Sequence, residues 1–193
     1  MIWMKKKMTN NNPEIIGIFS VPIFHIICEN WKSKKEKLNE LMKSYEFESS
    51  ANVMTTYCEN NNYGLNGKLN KDIENIFSEE LKIYQSNFNF PSFSVENSWF
   101  QIEKTGMNHN IHNHGIGVSG ICYLDYNENY HKPVNFVSPH VDVFDGSLEI
   151  VSLRDIKEGS LILFPSMISH FTHRNTSEHE RKIVSFNINI LPR

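Results

Sequence analysis

The sequence predicts a mostly β fold, an antiparallel β-barrel or jelly roll with supporting helices packed on its outside. Three observations predict it: a length that suits one domain, two amphipathic segments in the first half, and many short apolar segments in the second. The chain has 193 residues, 39% hydrophobic and 21% charged, which is typical of a globular domain and not of a fibre, a disordered chain or a membrane bundle. We expect a single domain, with a first strand and helices in residues 1–92 and the β core in residues 93–193.

The first half begins with an apolar segment, Ile15 to Ile27, that is interpreted as a strand. A helix is predicted from about Trp31 to Tyr45, where apolar residues recur at helical spacing with lysines and glutamates between them. A second amphipathic helix is predicted from about Lys71 to Gln85 for the same reason. The polar, glycine-containing segment between them, Asn60 to Asn70, is typical of a loop.

From residue 93 onward, segments rich in β-branched and aromatic residues follow one another, separated by glycines and prolines. This pattern is typical of short strands joined by turns. The predicted strands are Phe93 to Glu103, Val118 to Tyr126, Val134 to Val137, Ser147 to Leu153, Ser160 to Phe164, His170 to Arg174 and Lys182 to Leu191.

Charge and cysteine content restrict the partners and the compartment. The chain has 19 Lys and Arg against 22 Asp and Glu, which gives no electrostatic reason to expect a nucleic-acid partner. Three cysteines are too few to staple a chain of this length, so a reducing compartment is expected. The N-terminal apolar run is interrupted by Pro22 and His25 and lacks a signal cleavage site. We expect a cytoplasmic protein that binds neither nucleic acid nor membrane, and the sequence indicates no oligomeric state.

Eight of the nine histidines follow residue 108. In an extended segment, residues two apart face the same way with Cα atoms roughly 6.5–7 Å apart, so His112 and His114 can reach one metal ion. The third ligand must come from another strand, and His170 is the candidate. Imidazole suits iron, zinc, copper and nickel, so the ligands alone do not select the metal. The other histidines are expected to be structural or solvated, with His109 and His173 near enough in sequence to support the ligands.

Arg181 opens the last predicted strand and shares one face of it with Ser185 and Asn187. An arginine that points into a barrel needs an anion to offset its desolvation, and its guanidinium binds a carboxylate through two parallel hydrogen bonds. The alternative is a surface arginine paired with a neighbouring glutamate. The nearby histidine cluster favours an interior site for a carboxylate.

Three blocks stand in a fixed order along the chain: His112 to Leu124, Gly159 to His170, and Glu180 to Asn187. Together they resemble a family of 2-oxoglutarate- and iron(II)-dependent oxygenases that occurs in marine bacteria and their phages. The resemblance extends upstream to Ser98-Trp99-Phe100 and, more loosely, to the first strand, so it covers most of the chain. It implies a double-stranded β-helix of the jelly-roll, cupin-like type.

The resemblance also implies roles for individual residues. His112 becomes the first metal ligand, His170 the distal ligand, and Arg181 the residue that holds the far carboxylate of 2-oxoglutarate. Where the wider superfamily has Asp or Glu, this chain has His114, which we expect to be a third, neutral ligand. The alternative is that a water or a carboxylate from elsewhere, of which Asp125 is the nearest downstream, fills that position. With three imidazoles the metal keeps its two positive charges, which the 2-oxoglutarate dianion neutralises.

A second departure from the superfamily is Ile183, at a position where related enzymes often have serine. A hydroxyl from Tyr123 or Ser185 is expected to replace it. The residues expected in the co-substrate cavity, besides Arg181, are Trp99, Gln101, Tyr123, Ser185 and Asn187.

The resemblance implies a non-haem iron(II) dioxygenase that consumes O2 and 2-oxoglutarate and releases succinate and CO2. We expect it to hydroxylate a C–H bond of an unidentified substrate, either a protein residue or a small molecule. One alternative is a three-histidine, cupin-type dioxygenase that does not use 2-oxoglutarate. Another is a jelly-roll binding module without enzymatic activity.

Overall fold

The computed structural model describes residues 21–57, 66–142 and 144–191. Part of the predicted first strand, residues 15–20, lies outside these ranges. In chain order the helices and strands are β1 (Phe24–Ile27), α1 (Trp31–Met42), β2 (Glu48–Ser50), β3 (Val53–Thr55), α2 (Asn66–Ile76), α3 (Ser78–Phe88), β4 (Ser92–Glu103), β5 (Val118–Asp125), β6 (Val134–Val141), β7 (Leu148–Ser152), β8 (Ser160–Pro165), β9 (His170–Thr172) and β10 (Arg181–Leu191).

The strands form two antiparallel sheets. The larger sheet has the order β1-β8-β5-β10-β4-β3-β2, and the smaller has the order β7-β6-β9. From β4 to β10 the chain passes repeatedly between the two sheets, since β5, β8 and β10 belong to the larger one and β6, β7 and β9 to the smaller. This alternation of two facing sheets is the double-stranded β-helix that the sequence predicted.

Residues 109–114, hereafter the histidine segment, run beside β9 on the smaller sheet. The His112 N–H donates to the His170 carbonyl at 3.0 Å, and the His170 N–H donates to the His112 carbonyl at 2.9 Å. The Thr172 N–H donates to the His109 carbonyl at 3.1 Å. Backbone pairing therefore fixes the histidine segment against the strand that begins with His170.

The central strands of the larger sheet, such as β5 and β8, are buried on both faces, and successive residues of a strand point to opposite faces. On β5 and β10, Cys122 and Val184 face a core shared with the helices, to which Phe77 also belongs. Tyr123 and Ile183 face the opposite way, into the space between the sheets. Each strand thus contributes alternate residues to the hydrophobic core and to the inner space, and the inner set carries the polar groups.

The predicted second helix is wrong in its extent and continuity. It begins earlier, at Asn66, and is divided into α2 and α3 at Phe77, whose φ of −100° and ψ of 17° are not helical. The ring of Phe77 is fully buried and stacks on Phe186 with centroids 5.7 Å apart. Because Phe77 lies on the apolar stripe, the periodicity of the sequence continues through the break and does not reveal it.

The predicted loop Asn60 to Asn70 is wrong over its last five residues, which belong to α2; residues 60–65 lie outside the described ranges. The first helix also ends earlier than predicted, at Met42. All seven strands predicted after residue 92 are confirmed with small changes of boundary.

The sequence did not predict β2 and β3. They form a hairpin in which Ala51 and Asn52 have φ values of 48° and 64°, as a two-residue hairpin turn requires. Each strand has three residues, too few to display an alternating pattern. Within the described residues, no helix is long and apolar enough to cross a bilayer.

Candidate metal and co-substrate site

One cavity between the sheets is lined by most of the residues that the sequence predicted for the site. Their side chains come from β4, the histidine segment, β5, β9 and β10, so strands distant in sequence meet there. The predicted residues on its wall are Trp99, Gln101, His112, His114, Tyr123, His170, Arg181 and Ser185.

Asn187 does not line this cavity. Its side-chain carbonyl accepts a hydrogen bond from the Ser119 hydroxyl at 3.0 Å, and that hydroxyl also pairs with Ser166 at 2.9 Å. Asn187 therefore lies in a polar cluster beyond the cavity, with Ser119 on the cavity side of it.

The three predicted metal ligands converge. His112, His114 and His170 each offer a ring nitrogen, and these nitrogens all lie within 4.8 Å of one another. The ring centroids are 4.3 Å apart for His112 and His170, 5.0 Å for His112 and His114, and 5.3 Å for His114 and His170. Residues from two backbone segments thus surround one point, as a metal ion requires.

Backbone carbonyls orient two of these rings. Nδ1 of His112 lies 2.7 Å from the Asn110 carbonyl, and Nδ1 of His170 lies 2.9 Å from the Ile168 carbonyl. Because a carbonyl can only accept, both Nδ1 atoms carry the proton and both Nε2 atoms keep a lone pair. A metal-binding histidine is commonly held this way, with its second nitrogen hydrogen-bonded to fix the tautomer.

The environment keeps the imidazoles neutral. Burial, reinforced by the neighbouring His112, lowers the pKa of His114 from 6.5 to about 4. Burial and the neighbouring histidines lower the pKa of His170 to about 3, and burial lowers the pKa of His112. Neutral imidazole is the form that binds metal, so the ligand set needs no deprotonation near pH 7.

The donor set fits a divalent transition metal, because three converging neutral imidazoles suit iron, zinc, copper and nickel. Among the described residues, no Asp or Glu lines the cavity. Asp125, considered from the sequence as a substitute ligand, pairs instead with Lys35 at 2.8 Å and Lys182 at 3.0 Å. At this position the structure therefore places the ring nitrogen of His114, and no carboxylate of a described residue, beside the other two histidines.

Arg181 is buried, with 3% of its surface exposed, so the alternative of a surface arginine is wrong. Its Nη2 donates to Glu103 Oε1 at 2.6 Å, and its Nη1 donates to the Lys132 carbonyl at 2.8 Å. Its Nε is also buried but has no hydrogen-bond partner among the described residues. A buried donor without a partner is costly, and this one belongs to a side chain on the cavity wall, where an anion would satisfy it.

Tyr123 supplies a hydroxyl to the same cavity. The Val134 N–H donates to this hydroxyl at 2.9 Å, which leaves the phenolic proton for another acceptor. Burial raises the pKa of Tyr123 well above its usual value, so the group stays protonated and remains a donor. Arg181 and Tyr123 thus bring two donors to the cavity that holds the histidines.

The sequence analysis did not single out Glu103 and Thr172, and it gave His109 only a supporting role. Glu103 follows Gln101 by two positions on β4, and Thr172 follows His170 by two on β9, so strand alternation places both on inner faces. His109, expected only to support the ligands, lines the cavity and packs on His112 with centroids 4.0 Å apart. Alternation was the signal available for Glu103 and Thr172.

Comparison with known proteins agrees with this geometry. The family described as "Putative 2OG-Fe(II) oxygenase" matches residues 97–187, which contain the three histidines and Arg181. This match confirms the resemblance to 2-oxoglutarate- and iron(II)-dependent oxygenases over residues 97–187. No curated protein sequence matches the chain.

Solved structures with the same fold include a prolyl hydroxylase and an epimerase. HygX from Streptomyces hygroscopicus, with nickel, 2-oxoglutarate and hygromycin B bound, is 11% identical, with a TM-score of 0.60 over 88% of this chain and 83% of that one. The viral collagen prolyl hydroxylase vCPH from Paramecium Bursaria Chlorella virus-1, in complex with 2-oxoglutarate, is 12% identical, with a TM-score of 0.58 over 88% and 96%. The α-ketoglutarate-dependent epimerase SnoN from nogalamycin biosynthesis is 7% identical, with a TM-score of 0.64 over 87% and 77%.

Proposed function

Because residues 97–187 match the family described as "Putative 2OG-Fe(II) oxygenase", we propose that this protein hydroxylates a C–H bond of a second substrate while it converts 2-oxoglutarate and O2 to succinate and CO2. One observation carries the proposal: three neutral imidazoles and a buried arginine with a free Nε–H line the same cavity. One oxygen atom of O2 enters the new C–OH group and the other enters succinate.

His112, His114 and His170 would hold the iron(II), and the orientation of His112 and His170 by backbone carbonyls reduces the reorganisation that binding needs. When bound, iron(II) supplies the redox chemistry that activates dioxygen. With three protein ligands, the metal would retain open coordination positions for co-substrate and oxygen.

Arg181 and Tyr123 bind the far carboxylate of 2-oxoglutarate. The free Nε–H of Arg181 and the phenolic proton of Tyr123 are the donors, and both groups are buried. Ile121, Phe164 and Ile183 form apolar parts of the same wall; they exclude water from the reacting groups and strengthen the electrostatic contacts inside the cavity.

The second substrate is a protein residue or a small molecule. Similar folds include a collagen prolyl hydroxylase and a structure with hygromycin B bound, and also an epimerase, so fold alone does not select the substrate or the outcome. Hydroxylation is proposed as the simplest balanced outcome, and neither nucleic acid nor a membrane is part of the proposal.

The test is succinate formation by the purified protein with Fe(II), 2-oxoglutarate and O2, even without the second substrate, because uncoupled turnover also releases succinate. We expect succinate from the wild type and none from His170→Ala. The matched control is His173→Ala, which removes an exposed histidine close to the same strand. Oxygen consumption without any succinate would favour the three-histidine dioxygenase that does not use 2-oxoglutarate. A protein that retains no iron and consumes no oxygen would favour a binding module.

A further inference from the structure

Glu103 and Arg181 form a buried ion pair in which Arg181 lines the cavity and Glu103 lies behind its wall. They are opposite each other in the register of β4 and β10, and their side chains are 2% and 3% exposed. A single carboxylate oxygen of Glu103 accepts three hydrogen bonds, from Arg181 Nη2 at 2.6 Å, from the Thr172 hydroxyl at 2.7 Å and from the Gln101 amide at 3.1 Å. These donors hold the carboxylate in one place.

The carboxylate acts on the cavity through its partners, because Glu103 itself does not line the wall whereas Gln101, Thr172 and Arg181 do. The Thr172 hydroxyl, which donates to Glu103, accepts the His109 N–H at 2.7 Å. A chain of hydrogen bonds thus joins Glu103 to the histidine segment on one side and to Arg181 on the other.

The charges of the region can be counted from its residues. Arg181 is the one permanently charged residue among the described residues of the wall. The imidazoles are neutral, so a divalent metal would bring two positive charges and Arg181 a third. The negative charge of Glu103 offsets one of these three, and the remaining two positive charges balance the two negative charges of 2-oxoglutarate. Like charges in a cavity shielded from water repel strongly, so the balance affects both metal and co-substrate.

We propose that Glu103 sets the charge of the co-substrate cavity: its carboxylate lowers the repulsion between Arg181 and the bound metal and matches the loaded site to a dianion. Glu103 is thus a positioning residue that contacts neither metal nor co-substrate. This inference rests on the proposed function, since it assumes that metal and 2-oxoglutarate share the cavity.

Glu103→Gln tests the charge with little change of shape, because the amide oxygen can accept the same three hydrogen bonds. We expect Ni²⁺ binding to weaken on the order of tenfold, since the cavity gains one positive charge. For the same reason we expect 2-oxoglutarate to bind the Ni²⁺-loaded variant more tightly than the loaded wild type. Both affinities are measured by calorimetric titration, which needs no turnover, and thermal melting verifies that the variant is folded.

The matched control is Glu96→Gln, which removes an exposed carboxylate from the same strand and is expected to change neither affinity. A second variant, E103Q/R181M, removes both charges of the pair. It should bind Ni²⁺ within about threefold of the wild type, because the net charge is restored, and it should lose 2-oxoglutarate because the anchor is gone.

Opposite shifts of the two affinities in Glu103→Gln would support the inference, because damage to the fold lowers both. Parallel losses, or no change in either, would overturn it while leaving the proposed function in place. A wild-type protein that binds Ni²⁺ but no 2-oxoglutarate would overturn the proposed function, and this inference with it.

Discussion

His112 and His170 are paired through two backbone hydrogen bonds, and their imidazole rings lie next to each other. Each N–H donates to the other residue's carbonyl, at 3.0 and 2.9 Å, while the ring centroids lie 4.3 Å apart. The two residues come from segments distant in sequence, which an antiparallel bridge brings side by side. The relative positions of these two ligands therefore follow from the backbone register of their segments.

His170→Ala is expected to abolish tight metal binding. His170 is the ligand with the lowest exposure, at 4%, and the other two ligands come from one segment that cannot enclose an ion alone. We expect Ni²⁺ affinity to fall by a factor of at least about 100, above the upper range seen when only a supporting group of a ligand is removed. Calorimetric titration measures it, with His173→Ala as the control, and an affinity within tenfold of the wild type would refute the assignment.

His114→Asp tests the unusual ligand directly. A carboxylate adds a negative charge at the metal, so Fe(II) should bind at least as tightly as in the wild type under anaerobic conditions. The neutral variant His114→Asn should bind Fe(II) at least about tenfold more weakly, since it loses both imidazole and charge.

His114→Asp should also weaken 2-oxoglutarate binding, because the metal-loaded cavity then has one positive charge fewer. If neither His114→Asp nor His114→Asn changes Fe(II) affinity, position 114 does not contribute a ligand atom. If it binds Fe(II) tightly but forms no succinate, three imidazoles are needed for the chemistry itself.

Strand alternation explains how much of the site the sequence could predict. The inward positions of Trp99, Tyr123, Arg181 and Ser185 follow from a period of two along strands that were placed correctly. Alternation does not tell how far along a strand the cavity extends. Asn187 was expected on its wall for that reason, and its carboxamide instead bonds to Ser119.

Other features depend on contacts between segments distant in sequence. The Glu103 carboxylate and the Arg181 guanidinium meet because β4 pairs with β10 in one particular register. A sequence pattern contains no information on which strands pair. From the sequence alone, the glutamates next to Arg181 are therefore the only evident candidates for its ionic partner. The break at Phe77 cannot be predicted from the sequence for a related reason. Phe77 packs into the core from a non-helical position, where it stacks on Phe186, a residue distant in sequence.

The buried histidines predict how stability depends on pH in the metal-free protein. The folded-state pKa values of His170 and His114 are about 3 and about 4, below the unfolded value of about 6.5. Between these limits the unfolded chain binds more protons than the folded one, so the free energy of unfolding falls as pH decreases from about 6.5. Each such histidine contributes a slope of at most about 1.4 kcal/mol per pH unit.

Urea unfolding of the metal-free protein between pH 7 and pH 5 measures this slope. His170→Ala removes one of the contributing histidines and should show a shallower decline with falling pH. The exposed His173 serves as the control, and His173→Ala should follow the wild type. An identical slope in His170→Ala and the wild type would contradict the burial of a neutral imidazole at position 170.

Arg181→Ala is expected to affect co-substrate more than metal. The variant loses the Nε–H and the guanidinium charge, so 2-oxoglutarate affinity should fall by about 100-fold, the loss of a charged hydrogen bond in a buried site. Ni²⁺ affinity should not fall, because removing a positive charge from the cavity lowers repulsion on the metal. The protein should also be less stable by about 3–5 kcal/mol, since Glu103 is left buried without its cation.

Titrations with Ni²⁺ and with 2-oxoglutarate, together with urea unfolding, measure the three effects. Arg154→Ala, which removes an exposed arginine, is the control. Equal losses of metal and co-substrate affinity would argue against the anchor role of Arg181.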